Sequence, residues 1–260
     1  MIGIKYAVTM DMDDGLLRSL WTRFFRYNWA FGLFLVLLFG IPRFVLVLEA
    51  NVSGTYNFAF IIFFLMWFTP FVFLTKKGRK KIGVKRPGHY RYLFVSFLLG
   101  VLSCAVVFGI FTLLYQITLD HAFVYISRSG GVPSGLADSD KLIYFSIAVI
   151  PSMLFSPIGE EFLYRGVVHG SFVNRFGEVK ASFFDSLAFA LTHLAHFGII
   201  YDAGHWHFSV LPALLWVVCM FSVSQVFFRC KLLCDSITGA VLAHAGFNFA
   251  MMYFIFYWIY

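Results

Sequence analysis

Charged residues are scarce in this sequence. They make up 13% of the 260 residues, whereas a soluble domain carries about 25%. Hydrophobic residues reach 60%, and 35 residues are Phe, which is more apolar side chain than one buried core can hold. This composition excludes a soluble enzyme and a disordered chain. It predicts an integral membrane protein whose apolar surface faces lipid.

Cysteine is also sparse, with four residues at Cys104, Cys219, Cys230 and Cys234. Their spacing contains neither a CxxC pair nor a zinc-binding pattern. A disulfide-stapled secreted domain is excluded, because such domains are small and rich in cysteine. Free cysteine behaves as a small hydrophobic residue, so we expect these four thiols to be packing residues.

Seven segments are apolar enough to be candidate transmembrane helices, since a spanning helix needs about 20 mostly apolar residues. They are residues 28–48, 56–75, 92–118, 142–158, 181–200, 208–228 and 236–258. Before the first of them, Leu and aromatic residues alternate with Arg over residues 14–27, which is typical of an amphipathic helix on a membrane surface. The predicted fold is all-α: a polytopic integral membrane protein with about seven transmembrane helices and an N-terminal interfacial amphipathic helix. It forms one membrane unit over residues 1–260, and residues 1–27 are its cytoplasmic N-terminal segment.

Lys and Arg residues indicate how the chain is oriented. Sixteen of them lie on one side of the predicted spans, many within residues 76–91, and only Arg128 and Lys141 lie on the other. Because basic residues accumulate on the cytoplasmic side, the N-terminus is predicted to be cytoplasmic and the C-terminus outside. Arg43 is assigned to the outer interface. The basic segment 76–91 is interpreted as a topology anchor that contacts the lipid bilayer, and no nucleic-acid partner is expected.

Ionisable side chains inside apolar segments are costly and therefore mark candidate functional sites. Three groups stand out. They are Glu160, Glu161 and Arg165 in SPIGEEFLYRG; His193 and His196 in LAFALTHLAHF; and His244 and Asn248 in VLAHAGFNF. Counted from the inner ends of their helices, the groups lie at similar depth, so they are predicted to meet in one cavity in the cytoplasmic half of the membrane. Substrate is expected to reach that cavity from the cytoplasmic side or laterally from lipid.

The first group has a local interpretation of its own. Pro157 is predicted to begin a new helix, because proline suits the first helical turn. Glu160 and Glu161 would then lie near a helix N-terminus, where the helix dipole favours carboxylates. Glu161 and Arg165, four residues apart, can pair on one face, which leaves Glu160 available. For this motif alone, the alternative that both glutamates solvate a helix end stays open.

These residue types suit hydrolysis of a peptide bond without a covalent intermediate. A carboxylate with an imidazole can deprotonate a water, and a second imidazole with a carboxamide can donate hydrogen bonds to an oxyanion. A zinc site is the competing interpretation, but the sequence has no HExxH motif, and no metal or other cofactor is predicted. A non-catalytic membrane scaffold and a transporter also stay open, although a transporter usually shows an internal repeat.

Three motifs resemble those of the intramembrane CAAX-protease family, also called the CPBP or ABI family of glutamic endopeptidases. EEFLYR (160–165) resembles its EExxxR motif, FALTH (189–193) its FxxxH motif and HAGFN (244–248) its HxxxN motif. The order of the motifs and the 33-residue gap from Glu160 to His193 are also similar to the family. The resemblance covers about residues 140–250, which would form a CAAX-protease-like catalytic core.

The resemblance also implies a role for most of the buried polar residues. Glu160 and His193 would activate the water, and His244 and Asn248 would form the oxyanion hole. Glu161 and Arg165 would support the site, with Arg165 holding its helix in place. His196 belongs to no family motif and is interpreted as a packing residue or as a partner of the site.

The activity implied by the resemblance is that of an intramembrane glutamic endopeptidase acting on a peptide or protein substrate in or at the membrane. Eukaryotic members of the family trim prenylated CAAX termini. Prokaryotic members are linked to bacteriocin processing or self-immunity, or are paired with C-terminal sorting signals. Nothing in the sequence selects a prenylated substrate. The many Phe and the lack of an organelle signal favour a bacterial inner or cell membrane. A non-catalytic immunity protein of the same fold and a zinc-dependent membrane protease are the alternatives.

Overall fold

The computed structural model describes residues 15–56, 59–133 and 135–260, and helices dominate them, which confirms the all-α class. The α-helices are α1 (Trp29–Ser53), α2 (Ala59–Phe73), α3 (Lys76–Lys81), α4 (Arg91–Tyr115), α5 (Ala122–Ser129), α6 (Asp138–Glu161), α7 (His169–Thr192), α8 (Val210–Cys234) and α9 (Ile237–Phe254). The π-helical segments are Phe162–Val168, between α6 and α7, and Ile255–Ile259, after α9. The remaining elements are the 3₁₀ turn His193–Ala195 and an antiparallel hairpin of β1 (Ile199–Asp202) and β2 (His205–Phe208).

The long apolar helices make the chain an integral membrane protein. Among the described residues, five helical stretches could cross a membrane by length and composition. They are Trp29–Ser53, Arg91–Tyr115, Asp138–Ala195, Val210–Cys234 and Ile237–Ile259. The third stretch contains the fourth predicted segment and residues 181–195 of the fifth, and the second predicted segment is a shorter apolar helix, Phe60–Phe73. The count of seven crossings therefore stays a prediction. Leu113, Ile147 and Val218 are exposed on these helices, as a lipid-facing surface requires.

Residues 15–27 form no helix: residues 19–24 are in turns and Leu17 forms an isolated β-bridge with Leu74. The amphipathic helix predicted over 14–27 is therefore wrong for the part that the structure describes. The segment lies against the C-terminal end of α2, where the Trp21 indole donates to the Val72 carbonyl at 2.8 Å. The last four carbonyl groups of a helix have no partner within that helix. Donors from this segment bind those carbonyls, and these tertiary bonds override the local helical pattern. Residues 1–14 of the predicted N-terminal segment lie outside the described residues.

Helix α6 continues through its two prolines, so the expectation that Pro157 begins a new helix is also wrong. Proline removes a backbone hydrogen bond and disturbs the preceding turn, but neighbouring helices can bind the carbonyls of such a turn. The Trp67 indole donates to the Phe155 carbonyl, and the Asn248 amide donates to the Ser152 carbonyl, both at 2.7 Å. Donors from α2 and α9 thus stabilise α6 next to its proline.

Glu160 and Glu161 consequently lie deep within a continuous helical stretch. They end α6 and are followed directly by the π-helical segment Phe162–Val168. A π-helical turn inside an α-helix is rare and is frequent at functional sites. A helix N-terminus does not explain these carboxylates, so their stabilisation must come from side chains around them.

The chain reverses direction at Gly177, whose backbone is not helical (φ 73°, ψ 166°). His169 and Asp185, eight residues before and after this glycine, are 2.7 Å apart between Nδ1 and Oδ2. The positive φ suits glycine, which has no Cβ to clash with the backbone. His169 also packs on the ring of Phe228, with ring centroids 4.9 Å apart, so the reversal lies near the C-terminal end of α8.

The basic segments lie together at one end of the molecule. We call this the basic end, and it comprises residues 76–91, 175–180 and 229–236. Lys85 Nζ is 2.7 Å from Asp235 Oδ1, and this hydrogen bond lowers the pKa of the Asp235 carboxyl. The arrangement agrees with the charge asymmetry of the sequence, while the orientation of the basic end in a membrane stays a prediction.

The remaining connections lie together at the other end. We call this the opposite end, and it comprises residues 54–56, 116–133, 135–141 and 196–209. Here Ser209 Oγ donates to Asp120 Oδ1 at 2.6 Å, and the Tyr201 amide donates to the Tyr125 hydroxyl at 2.9 Å. The two bonds tie the β-hairpin region to α5 and the connection before it.

Helices α4 and α9 pack closely through glycines. A Cβ at Gly100 of α4 would overlap the carbonyl oxygen of Ala243, and a Cβ at Gly246 of α9 would overlap that of Phe97. Small residues let helix backbones approach in membranes. Because His244 lies between Ala243 and Gly246 on α9, this close approach fixes the position of His244.

We therefore predict that Gly100→Ala lowers the thermal unfolding temperature of the detergent-solubilised protein. Overpacking of this kind costs about 1–3 kcal/mol. Gly109→Ala is the matched control, because a Cβ at Gly109 on the same helix meets nothing within 4 Å. Thermal unfolding is measured by tryptophan fluorescence. Equal unfolding temperatures for Gly100→Ala and Gly109→Ala would contradict the prediction.

Candidate active site

Glu160, His193 and His244 come together in the interior of the bundle, although they lie on three different elements. His193 Nε2 is 3.9 Å and His244 Nε2 is 3.8 Å from Glu160 Oε2. Glu160 has no exposed surface, and His244 is 3% exposed. Asn248, one turn after His244, lines a cavity together with both histidines. The four residues proposed as catalytic from the sequence thus lie in one cluster.

Glu161 faces a different set of partners from Glu160. Its Oε1 is 2.9 Å from His244 Nδ1, and its Oε2 is 3.3 Å from Arg165 Nε. All three side chains are buried. A buried carboxylate requires an opposite charge or hydrogen-bond donors, and Arg165 and His244 supply them. Glu161 in turn fixes the orientation of the His244 ring.

Arg165 is held in place from several sides. Its Nη2 donates to the Ser224 hydroxyl, and its guanidinium lies over the Phe189 ring at 4.2 Å from the centroid. Lys231 Nζ donates to the Arg165 backbone carbonyl at 2.6 Å. Because α7 and α8 both contribute to this environment, Arg165 links them to the π-helical segment, where it lies.

The hydrogen bonds of the two imidazoles indicate which ring nitrogen carries the proton. His193 Nδ1 is 2.7 Å from the Phe189 carbonyl, which can only accept, so Nδ1 is the donor. His244 Nδ1 donates in the same way to the Glu161 carboxylate. In a neutral ring the Nε2 atom is then the acceptor, and both Nε2 atoms face Glu160.

Arg43 is a part of the cluster that the sequence analysis missed. Its Nη2 is 2.7 Å from Glu160 Oε1 and 3.2 Å from His193 Nε2, and the residue is 1% exposed. The predicted span 28–48 placed Arg43 at an interface. In the structure, α1 continues to Ser53, ten residues after Arg43. An arginine in the middle of an apolar helix is a functional signal, and a longer estimate of the span would have revealed it.

His196 belongs to the same network through Arg43. Its Nε2 is 3.2 Å from Arg43 Nη2, and its ring stacks on Tyr56 with a centroid distance of 6.0 Å. His196 thus contacts the guanidinium rather than Glu160, and it helps to position Arg43.

Within the described residues, no group of three or more His, Cys, Asp or Glu side chains is arranged to hold a metal ion. A metal bound by Glu160 and His193 together would lie against the Arg43 guanidinium, which contacts both residues. Two cations at that distance repel each other. These side chains therefore do not fit the zinc site that was the competing interpretation of the sequence.

A cavity of about 410 Å³ begins at the cluster and is lined mainly by apolar and aromatic side chains. Its wall follows α9 from His244 to Met252 and reaches Ile255 in the π-helical segment after it; it also follows α6 from Ser156 back to Ala148 and reaches Val132. Both helices run along this path toward the opposite end. The direction differs from the access expected from the sequence, because a cytoplasmic basic end would make the cavity face the other side of the membrane.

Comparison with protein families identifies the segment that contains these motifs. A family model described as Rce1-like, type II CAAX prenyl endopeptidase Rce1-like, matches residues 142–250. No curated protein and no solved structure matches the chain significantly. The matched range contains all three motifs, so the resemblance to the CAAX-protease family is confirmed there. The family is one of proteases, which supports a membrane-embedded peptidase.

The direction of the cavity predicts the side from which its residues can be labelled. Ser156→Cys should react with a membrane-impermeant thiol reagent from the side that labels Ser139→Cys at the opposite end. It should not react from the side that labels Val179→Cys at the basic end. Ser139 and Val179 are exposed, and the four native cysteines are buried, so background labelling is low. Labelling of position 156 from the basic side alone would contradict the prediction.

Proposed function

Because the chain carries an Rce1-like protease segment over residues 142–250, we propose that it is a metal-independent intramembrane glutamic endopeptidase. Its substrates are membrane-associated or lipidated proteins, and it hydrolyses a peptide bond with a water activated by Glu160 and His193. The observation that carries the proposal is the convergence of Glu160, His193 and His244 within 3.9 Å around a buried carboxylate. Glu160, His193, His244 and Asn248 are the proposed catalytic residues, and Glu161 and Arg165 support them.

The distances within the cluster suit a shared water. Separations of 3.8 and 3.9 Å between Nε2 and carboxylate oxygen are too long for direct hydrogen bonds. One water oxygen between such groups can be within hydrogen-bond distance of each. Glu160 can accept one proton of that water. His193 Nε2 can accept the other when the two hydrogens of Arg43 Nη2 go to Glu160 and His196. The oxygen lone pair of the water is then oriented toward a substrate carbonyl carbon.

Hydrolysis then proceeds in two steps. The water oxygen bonds to the carbonyl carbon, the carbonyl electron pair moves to its oxygen, and Glu160 takes the water proton. When the tetrahedral intermediate collapses, the C–N bond breaks and Glu160 gives its proton to the leaving amine. Water and peptide bond are consumed, and a carboxylic acid and an amine are formed.

His244 and Asn248 are proposed to stabilise the oxyanion. The Asn248 amide has two N–H groups and gives one to the Ser152 carbonyl, so the other is available. The Nδ1–H of His244 is committed to Glu161, so His244 can donate from Nε2 only as an imidazolium. Donors fixed in a water-poor interior are stronger than the same donors in water.

The remaining expectations form part of the same proposal. We propose residues 140–250 as the catalytic core within a single membrane unit of residues 1–260. The N-terminus is proposed to be cytoplasmic and the C-terminus outside, in a bacterial inner or cell membrane. The apolar and aromatic wall of the cavity suits apolar side chains of a substrate peptide, since burying them is favourable.

We predict that Glu160→Gln lowers cleavage of co-expressed substrates in membranes by about 10²- to 10⁴-fold, because the amide cannot accept the water proton. Substrates are identified by terminal-peptide mass spectrometry of membranes with and without the active protein. Glu49→Gln is the matched control, because Glu49 is an exposed carboxylate on α1. Thermal unfolding of each variant shows that the protein is folded.

Undiminished proteolysis by Glu160→Gln would end the assignment and would favour a non-catalytic scaffold. Cleavage is also expected to persist in a strong chelator. If chelation abolished cleavage and zinc restored it, the metal-independent mechanism would be wrong.

Asn248→Ala is predicted to lower kcat by about 10²- to 10³-fold, as expected for an oxyanion donor. The variant also loses a hydrogen bond to a backbone carbonyl, so it needs a control with the same structural defect. Asn51→Ala provides one, because the buried Asn51 donates to the Ala195 carbonyl at 2.8 Å and is outside the cavity lining. Equal effects of both variants on kcat would contradict a role of Asn248 in the reaction.

A further inference from the structure

Arg43 lies in the cluster but comes from α1, outside the segment that the family model matches. A single nitrogen, Nη2, makes all of its close polar contacts: 2.7 Å to Glu160 Oε1 and 3.2 Å each to the Nε2 atoms of His193 and His196. The guanidinium therefore touches both groups that would activate the water.

Apart from Nη2, the guanidinium of Arg43 contacts the Phe63 ring, 5.5 Å from its carbon to the ring centroid, and makes no further hydrogen bond among the described residues. Arginine has five N–H donors, yet Nε and Nη1 of Arg43 are buried and have no hydrogen-bond partner within the described residues. Arg43 lines the cavity in which a substrate would lie. Buried donors are nearly always satisfied, so donors left free at a cavity wall point to a ligand with acceptor oxygens.

The charges of the cluster change during the proposed reaction. At rest, the positive charge of Arg43 is balanced by the Glu160 carboxylate. When Glu160 takes the water proton it becomes neutral, and the negative charge appears on the former carbonyl oxygen. Arg43 keeps its charge throughout, because a guanidinium is not deprotonated in proteins. At that moment, Arg43 has lost its counter-ion and an oxyanion has formed beside it.

We propose that Arg43 is a further catalytic residue, and that one of its free N–H donors, on Nε or Nη1, binds the oxygen of the scissile carbonyl. Its charge compensates Glu160 before the attack and the oxyanion after it. The inference rests on the proposed hydrolysis by Glu160 and extends the site to a helix outside the family segment. Electrostatic stabilisation of this kind acts on the transition state more than on the bound substrate.

The test uses full-length protein in detergent and the peptide whose cleavage depends on Glu160. Arg43→Met removes the charge and is expected to lower kcat at least 100-fold with KM changed less than threefold. Arg43→Lys keeps the charge as an ammonium but lacks the planar set of donors, so it should retain intermediate activity, well above that of Arg43→Met. Arg128→Met is the matched control, since Arg128 is an exposed arginine at the opposite end, and it should retain the full kcat.

Arg43→Met leaves Glu160 buried without its counter-ion, so the variant can fail to fold. Thermal unfolding identifies that case, and the decision then rests on Arg43→Lys, which keeps the opposite charges. Arg43→Lys with wild-type kcat, or a loss that appears only in KM, would overturn the inference. The test distinguishes this inference from the proposed hydrolysis by Glu160. If Glu160→Gln is inactive while Arg43→Lys and Arg43→Met are fully active, only the role of Arg43 is rejected. If Glu160→Gln is fully active, the proposed hydrolysis by Glu160 is rejected as well.

Discussion

A carboxylate buried among apolar helices needs an opposite charge or several hydrogen-bond donors close by. Glu160 is paired with Arg43 at 2.7 Å, and Glu161 is paired with Arg165 at 3.3 Å and with His244 at 2.9 Å. These contacts connect α1, α6, the π-helical segment and α9. The relative positions of elements that are far apart in the sequence are thus tied to the compensation of two negative charges.

The same compensation separates the roles of two adjacent glutamates. Glu161 is engaged on both oxygens by Arg165 and His244. Glu160 binds Arg43 through Oε1, while its Oε2 faces the two Nε2 atoms at a distance that leaves room for a water. One carboxylate therefore orients the histidine, and the other keeps one oxygen directed toward both imidazoles, as the proposed proton transfer requires. Close packing of α9 on α4 keeps His244 in a fixed position relative to Glu160 and Glu161.

Most of the bundle could be predicted from the sequence because burial in lipid depends mainly on composition. All seven apolar segments contain helix, and the polar residues found inside them do meet. Arg43 was missed because its interpretation depended on the end of one helix. A span ending at residue 48 put Arg43 close to an interface, whereas α1 extends to Ser53. Helix ends are the least certain feature of a hydropathy pattern.

Two local patterns failed because bonds to other segments outweighed them. The sequence around Pro157 has the residue types of a helix start, but Trp67 and Asn248 donate to carbonyls of α6 and the helix continues. The segment 15–27 alternates like a surface helix, but its donors bind the end of α2 instead. In both cases the decisive partner is more than 40 residues away in sequence, where a local pattern contains no information about it.

The parts of the cluster are widely spaced along the chain, since Arg43 and His244 are separated by 201 residues. When the ribosome has translated α1 and the segment that contains Glu160, it has not yet translated His244. The cluster can assemble only after the segment around residue 248 has left the ribosome and joined the other helices. A chain still being synthesised therefore lacks a complete site.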